Sequence, residues 1–225
     1  MEPIIFAHRG ASGHERENTV EAFELAVKLG ATGIETDAWI TADGVIVLDH
    51  DGVVGSSLRR KRKISQLTRS ELPPHIPTFS ELLEMPALPK HISIDVCDPN
   101  VFERLQFDLV PSDTTLWLCS GDLELLSAWR EHNSEVKLVH STWRKHLKAG
   151  MERHAATLRE RGVDALNLHH TEWTGGNVAL LHRFKRLCWA WDTQHVRNIE
   201  AMVAISIDAV FGDYVDRLTE VVTTR

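Results

Sequence analysis

Residues 33–51 read Gly33-Ile34-Glu35-Thr36-Asp37-Ala38-Trp39-Ile40-Thr41-Ala42-Asp43-Gly44-Val45-Ile46-Val47-Leu48-Asp49-His50-Asp51. The run from Ile34 to Trp39 is short and largely apolar, which reads as a strand. Asp43-Gly44 is a turn dipeptide, and the apolar run Val45 to Leu48 that follows can fold back on the first strand as a hairpin. That turn would put His50 beside Glu35 and Asp37. Being two residues apart, Glu35 and Asp37 point to one face of the strand. Paired carboxylates on an apolar strand repel each other and lose hydration, so something must compensate them.

Outward from this hairpin, short apolar runs alternate with amphipathic stretches along the whole 225-residue chain. The expected strands are Ile4 to Ala7, Ile34 to Trp39, Ile92 to Val96, Leu116 to Ser120, Val136 to His140, Ala165 to Leu168, Cys188 to Trp191 and Ala209 to Phe211. Helices are expected between them, the first entering at Asn18-Thr19 and leaving near Gly30. Others begin near Thr78, Asn100, Gly121, Arg144, Asn177, Val196 and Asp213. Repeated strand-then-helix order means parallel β covered by helices, and eight repeats predict the α/β class with a single (β/α)8 TIM-type barrel over residues 1–225.

With 43% apolar and 25% charged residues the chain has the balance of a globular domain. A net charge of −7 argues against a nucleic-acid partner, which requires a basic face. Cys97, Cys119 and Cys188 are too few and too scattered for a disulfide framework, so a cytoplasmic location is expected. No segment is apolar enough to cross or firmly anchor to a membrane, and the N-terminus lacks the pattern of a signal peptide. Oligomeric state is not legible. The basic run Arg59-Arg60-Lys61-Arg62-Lys63 could draw anions toward the barrel mouth, although a solvated loop explains it as well.

Active sites of such barrels lie at the C-terminal strand ends, and this chain places His8-Arg9-Gly10, Glu35 with Asp37, His50-Asp51 and Asp95 there. A divalent cation would compensate Glu35 and Asp37, with Asp95 completing three carboxylates; an all-oxygen set selects Mg2+, Ca2+ or Mn2+. Alternatively the pair meets Arg9 or caps neighbouring loops. His8 and His50 are the natural proton carriers for phosphodiester cleavage, and Arg9 offers forked donors to phosphate oxygens. Of the remaining histidines, His169-His170 could reach the site, whereas His75, His91, His132, His146, His154 and His182 fall in loops or on helical faces.

Ala7-His8-Arg9-Gly10, Glu17-Asn18-Thr19 with Ala22-Phe23, Gly33-Ile34-Glu35-Thr36-Asp37 and Thr41 through His50-Asp51 together resemble the glycerophosphodiester phosphodiesterase family in order and spacing. Ile76-Pro77-Thr78, Ala190-Trp191 and Ile207 to Asp213 extend the resemblance over nearly the whole chain. It implies metal-dependent hydrolysis of a small-molecule phosphodiester to an alcohol and glycerol 3-phosphate. By motif it assigns His8 and His50 to acid–base work, Glu35, Asp37 and Asp95 to one divalent cation, Arg9 to the phosphate and Trp191 to the pocket wall. A catalytically silent phosphodiester-binding barrel and a phospholipase D-like enzyme on lysolipid or sphingolipid head groups are the alternatives. Asp95-Val96-Cys97 stands where the family usually carries glutamate, one residue and lysine; Arg16 replaces its proline, Gly121 its phenylalanine and Asp192 its threonine. Asp51 to Pro74 is too short for an inserted substrate domain, so an open pocket is expected.

Overall fold

The computed structural model describes residues 2–55 and 61–224. Eight parallel strands pair in chain order: β1 (Ile4–His8), β2 (Gly33–Ile40), β3 (His91–Val96), β4 (Thr115–Ser120), β5 (Lys137–Ser141), β6 (Ala165–His169), β7 (Leu187–Trp191) and β8 (Ala209–Gly212). β1 pairs with β2 on one side and with β8 on the other, which closes the sheet into a barrel. Every expected strand forms, with ends displaced by no more than one residue. The hairpin forms as well, Ile46–Leu48 running antiparallel to β2 with Ala38 opposite Leu48.

The covering helices are α1 (Val20–Lys28), α2 (Phe79–Leu83), α3 (Val101–Arg104), α4 (Leu123–His132), α5 (Met151–Glu160), α6 (Gly175–Arg183), α7 (Val196–Ala204) and α8 (Val215–Thr223). α1 shows why they form where they do. The Thr19 hydroxyl accepts from the Ala22 N–H and caps the first turn, and Ala22, Phe23 and Ala26 make a buried stripe at helical spacing. Two expectations need correction. At Arg144 there is only a 3-10 turn, Arg144–His146, and α5 starts at Met151, because Gly150 holds φ +81, which no α-helix contains. His91 is not in a loop but opens β3, where its ring accepts a hydrogen bond from Trp117 Nε1 at 3.3 Å.

Alternate residues of each strand face in opposite directions, so two apolar layers result. Ile5, Ile34, Ile92 and Leu166 point outward beneath the helices, while Phe6, Trp117, Trp189 and Phe211 fill the bore. The bore rings pack closely, Phe6 stacked on Phe211 at 4.5 Å and Trp117 edge-on to Trp189 at 4.8 Å. Gly33 makes room for them, since a Cβ there would come within 2.5 Å of the Phe6 ring. Burial of each such ring contributes on the order of 1.5–3 kcal/mol. This aromatic plug is the floor of the site: two residues further along the same strands come His8, Asn167 above Ala165, and Trp191.

Candidate active site

A cavity of about 360 Å³ opens at the C-terminal mouth of the barrel, and its walls include His8, Arg9, Glu35, Asp37, His50, Asp95 and Trp191. All seven residues singled out from the sequence therefore converge on one place.

The β1–α1 loop sets two of them. Arg9 and Gly10 both take left-handed backbone angles, φ +55 and +79, and a Cβ on Gly10 would lie 2.7 Å from the backbone carbon of Ala22. Such a turn in a non-glycine residue costs about 1–3 kcal/mol and persists only where surrounding structure enforces it. Here it aims the Arg9 N–H at Glu35 Oε2, 3.0 Å away. The Arg9 guanidinium meets Glu17 Oε2 at 2.9 Å and lies 3.4 Å from Asp37 Oδ2, so the ion-pair reading of Arg9 holds while the side chain still borders the cavity.

His8 turns its Nδ1 to Asp213 Oδ1 at 2.7 Å and its Nε2 toward Glu35 Oε2 at 3.9 Å. Burial alone would lower the imidazole pKa, but the charge of Glu35 and the hydrogen bond to Asp213 outweigh it and raise the value to about 9. Asp213 is itself held by Gln194, whose Oε1 accepts from the Asp213 N–H at 3.0 Å. His50 is 44% exposed, with Nδ1 3.0 Å from Asp51 Oδ1. The hairpin that carries it is pinned by the Asp49 N–H donating to the Asp37 carbonyl at 3.0 Å. His50 also faces a neighbouring cavity of about 510 Å³ bordered by Arg16, Glu17 and His75.

Glu35, Asp37 and Asp95 each offer an oxygen within 4.8 Å of the others. Burial above all pushes Glu35 up to about 8, and burial together with the charge of Asp37 pushes Asp95 up to about 6. Arg9 and His8 offset part of the charge of this cluster, and its all-oxygen donor set fits a hard divalent ion. Asn18, at φ +52, donates from Nδ2 to Asp37 Oδ2 at 3.1 Å and accepts from the Thr36 hydroxyl at 2.6 Å, which fixes the carboxylate from behind. Cys97 follows β3, its N–H donating to the Ala38 carbonyl at 3.2 Å, and its thiol is pushed up to about 12 by burial and by the charges of Asp37, Asp95 and Glu35.

Sequence reasoning missed three members. Asp213 follows the last strand, and its signal was closure: β8 must lie beside β1, so a carboxylate at one strand end faces the histidine at the other. Asn18 was quoted for its motif only. Asn167 is a polar residue inside the apolar run Ala165 to Leu168; it is 6% exposed, borders the cavity, and its Oδ1 has no hydrogen-bond partner among the described residues. Of the basic run, Arg59 and Arg60 lie outside the described residues, and Arg62 pairs with Glu71 at 3.1 Å.

Imidazoles, a guanidinium and clustered carboxylates thus meet at the C-terminal mouth of a closed parallel barrel, the place where enzymes of the TIM-barrel class keep their active sites. The chain belongs to the glycerophosphoryl diester phosphodiesterase family, whose model matches residues 8–217. It is 24% identical to a glycerophosphodiester phosphodiesterase of Bacillus altitudinis over 96% of this chain and 97% of that one. It is 29% identical to human lysophospholipase D GDPD1 over 64% of this chain and 54% of that protein. The crystal structure of a glycerophosphodiester phosphodiesterase from Thermotoga maritima is alike in fold, with a TM-score of 0.85 at 22% identity over 98% of both chains. So is an Oleispira antarctica phosphodiesterase in complex with its product sn-glycerol-3-phosphate, with a TM-score of 0.81 at 21% identity over 98% of this chain and 96% of that one. Among the described residues no helix is long and apolar enough to cross a membrane.

Proposed function

We propose that the chain, acting as one barrel domain, hydrolyses a glycerophosphodiester to an alcohol and glycerol 3-phosphate with the help of one divalent cation. The observation that carries this reading is the convergence of His8, His50, Arg9 and the three carboxylates on a single cavity. Glu35, Asp37 and Asp95 would hold the cation, and Mg2+ or Ca2+ suits their oxygen donors, with Mn2+ also admitted. Bound there, it supplies a Lewis acid for the phosphoryl oxygens. Arg9 contributes a fixed positive charge beside Asp37 to the same phosphate.

His8 and His50 exchange protons with the attacking and leaving oxygens. His8 keeps its Nδ1 engaged with Asp213, which leaves Nε2 turned into the cavity for that transfer. His50 borders both cavities, so the departing alcohol has room beyond it. Trp191 walls the phosphate cavity on the β7 side. The three free cysteines suit a cytoplasmic compartment.

A panel of glycerophosphodiesters incubated with Mg2+, Ca2+ or Mn2+ should yield free alcohol and glycerol 3-phosphate. Likeness to the human lysophospholipase D makes lysophosphatidylcholine the second substrate to include. Turnover of the lysolipid alone would transfer the assignment to that reaction. Binding of a diester without turnover under any cation would mark a silent barrel.

A further inference from the structure

A second group of metal-ligating side chains stands at the ends of β6 and β7. His169 closes β6, His170 follows it, and Asp192 follows Trp191 at the end of β7. One donor atom from each lies within 4.8 Å of the other two. His169 Nε2 is 3.0 Å from Asp192 Oδ2. That contact is a hydrogen bond; two ligands at adjacent vertices of one ion, each bound at about 2.1 Å, stand about 3 to 3.4 Å apart, so exchange of the shared proton for a cation needs little movement of this pair.

The surroundings hold the donors in place. His169 Nδ1 accepts from the Thr171 N–H at 3.3 Å and lies 2.7 Å from its hydroxyl, and His170 Nε2 lies 3.3 Å from Asn198 Nδ2, so a cation at this place would displace the proton that His169 Nε2 shares with Asp192. Trp143 stacks on the His169 ring at 5.4 Å and Trp191 meets it edge-on at 4.6 Å, so the ring is clamped between indoles. Asp192 carries its carboxylate on a left-handed backbone, φ +63, uncommon outside glycine. It also borders the catalytic cavity.

We propose that His169, His170 and Asp192 form a second cation site, separate from the carboxylate cluster, that takes a borderline transition metal such as Zn2+ or Co2+. Two imidazoles and one carboxylate are the donors such ions choose, whereas Mg2+ and Ca2+ prefer oxygen alone. A cation there adds positive charge to the cavity wall next to Trp191. The comparable group His182, Cys188 and Asp208 offers no such site. Its Asp208 Oδ2 is committed to the Cys188 N–H at 2.7 Å, and the Cys188 sulfur is buried toward the Val178 carbonyl.

Co2+ titration of the intact protein in saturating Mg2+, read by visible absorption and calorimetry, tests the site. One equivalent of Co2+ should bind with ligand-field bands of mixed nitrogen and oxygen coordination. His170→Ala and Asp192→Asn should each weaken it at least tenfold with unchanged circular dichroism, and Glu35→Gln should leave it intact. Co2+ that Mg2+ displaces competitively, that is lost in Glu35→Gln, or that binds His170→Ala as well as the native protein overturns the proposal.

Discussion

His8 and Asp213 are 205 positions apart in the chain, yet Nδ1 of one lies 2.7 Å from Oδ1 of the other. The contact exists because β1 and β8 are neighbours at the seam where the barrel closes. Asp213 thereby selects the tautomer of His8 and stabilises its protonated form. Asp213→Asn should lower kcat by roughly 10², within the range that a general acid–base group contributes, with KM changed only a few-fold. NMR titration should show the His8 midpoint falling from about 9 in the metal-free protein. Unchanged kcat with a shifted midpoint would remove the pair from the mechanism.

Cation binding at Glu35, Asp37 and Asp95 should release protons. In the metal-free protein Glu35 holds its proton up to about pH 8 and Asp95 to about 6, whereas ligation requires both carboxylates ionised. Affinity for Mg2+ should therefore fall as pH drops from 8 to 6, by up to about tenfold per unit for each proton released. Calorimetry in buffers of different ionisation enthalpy counts those protons; buffer-independent heats would contradict the scheme. Exhaustive chelation should abolish turnover.

Asn167→Ala should raise KM about 3- to 10-fold at nearly constant kcat, because a substrate hydroxyl that meets the vacant Oδ1 gains about one hydrogen bond. The same variant should melt no lower than the native protein by more than the loss of the 3.3 Å Nδ2 contact to Ser141 implies, since a buried orphan acceptor disappears with it. Steady-state kinetics and thermal melting on one preparation measure both.

Acidification should destabilise the fold through the β5–α5 contact, where His140 Nδ1 lies 3.0 Å from His154 Nε2. Burial lowers both imidazoles, His154 to about 4, and each is close enough to oppose charging of the other. A histidine with a folded pKa below its unfolded value of 6.5 gives stability that is complete above pH 6.5 and declines as pH falls toward 4. Melting temperature plotted against pH should drop over that window, and His154→Leu should flatten the drop. An unaltered curve in His154→Leu would place its origin elsewhere.

Cys97→Lys should keep the fold and raise turnover of glycerophosphodiesters, because Asp37, Asp95 and Glu35 surround the position with negative charge and a cation there would stabilise the developing phosphate charge. A variant that melts early and turns over more slowly would mean that Cys97 serves only as a small packed side chain.

The strands were legible because each is an apolar run buried on both faces, and Glu35 with Asp37 stood out as charge where such a run forbids it. Local chemistry also revealed the hairpin, since Asp43-Gly44 fixes its turn. What escaped depended on closure or on backbone strain. Nothing near Asp213 announces His8, and His91 looks like a loop residue until the bore is assembled around it. Arg144 lies in a stretch with helical composition, but the left-handed Gly150 and the Glu172 carboxylate that takes the Arg144 N–H divert it into a short turn. The vacant acceptor of Asn167 is visible only as a missing partner.

Barrel closure also has a meaning for synthesis. β1 leaves the ribosome before the other strands of the barrel, and the strand that covers its second edge arrives some 205 residues later. At roughly 5–20 residues per second the nascent chain spends about 10 to 40 s with that edge uncovered. Through that interval the carboxylates and both imidazoles are already made, but the partner that steers His8 is not. The last strand thus brings the partner of His8 and covers the open edge of β1 in the same event.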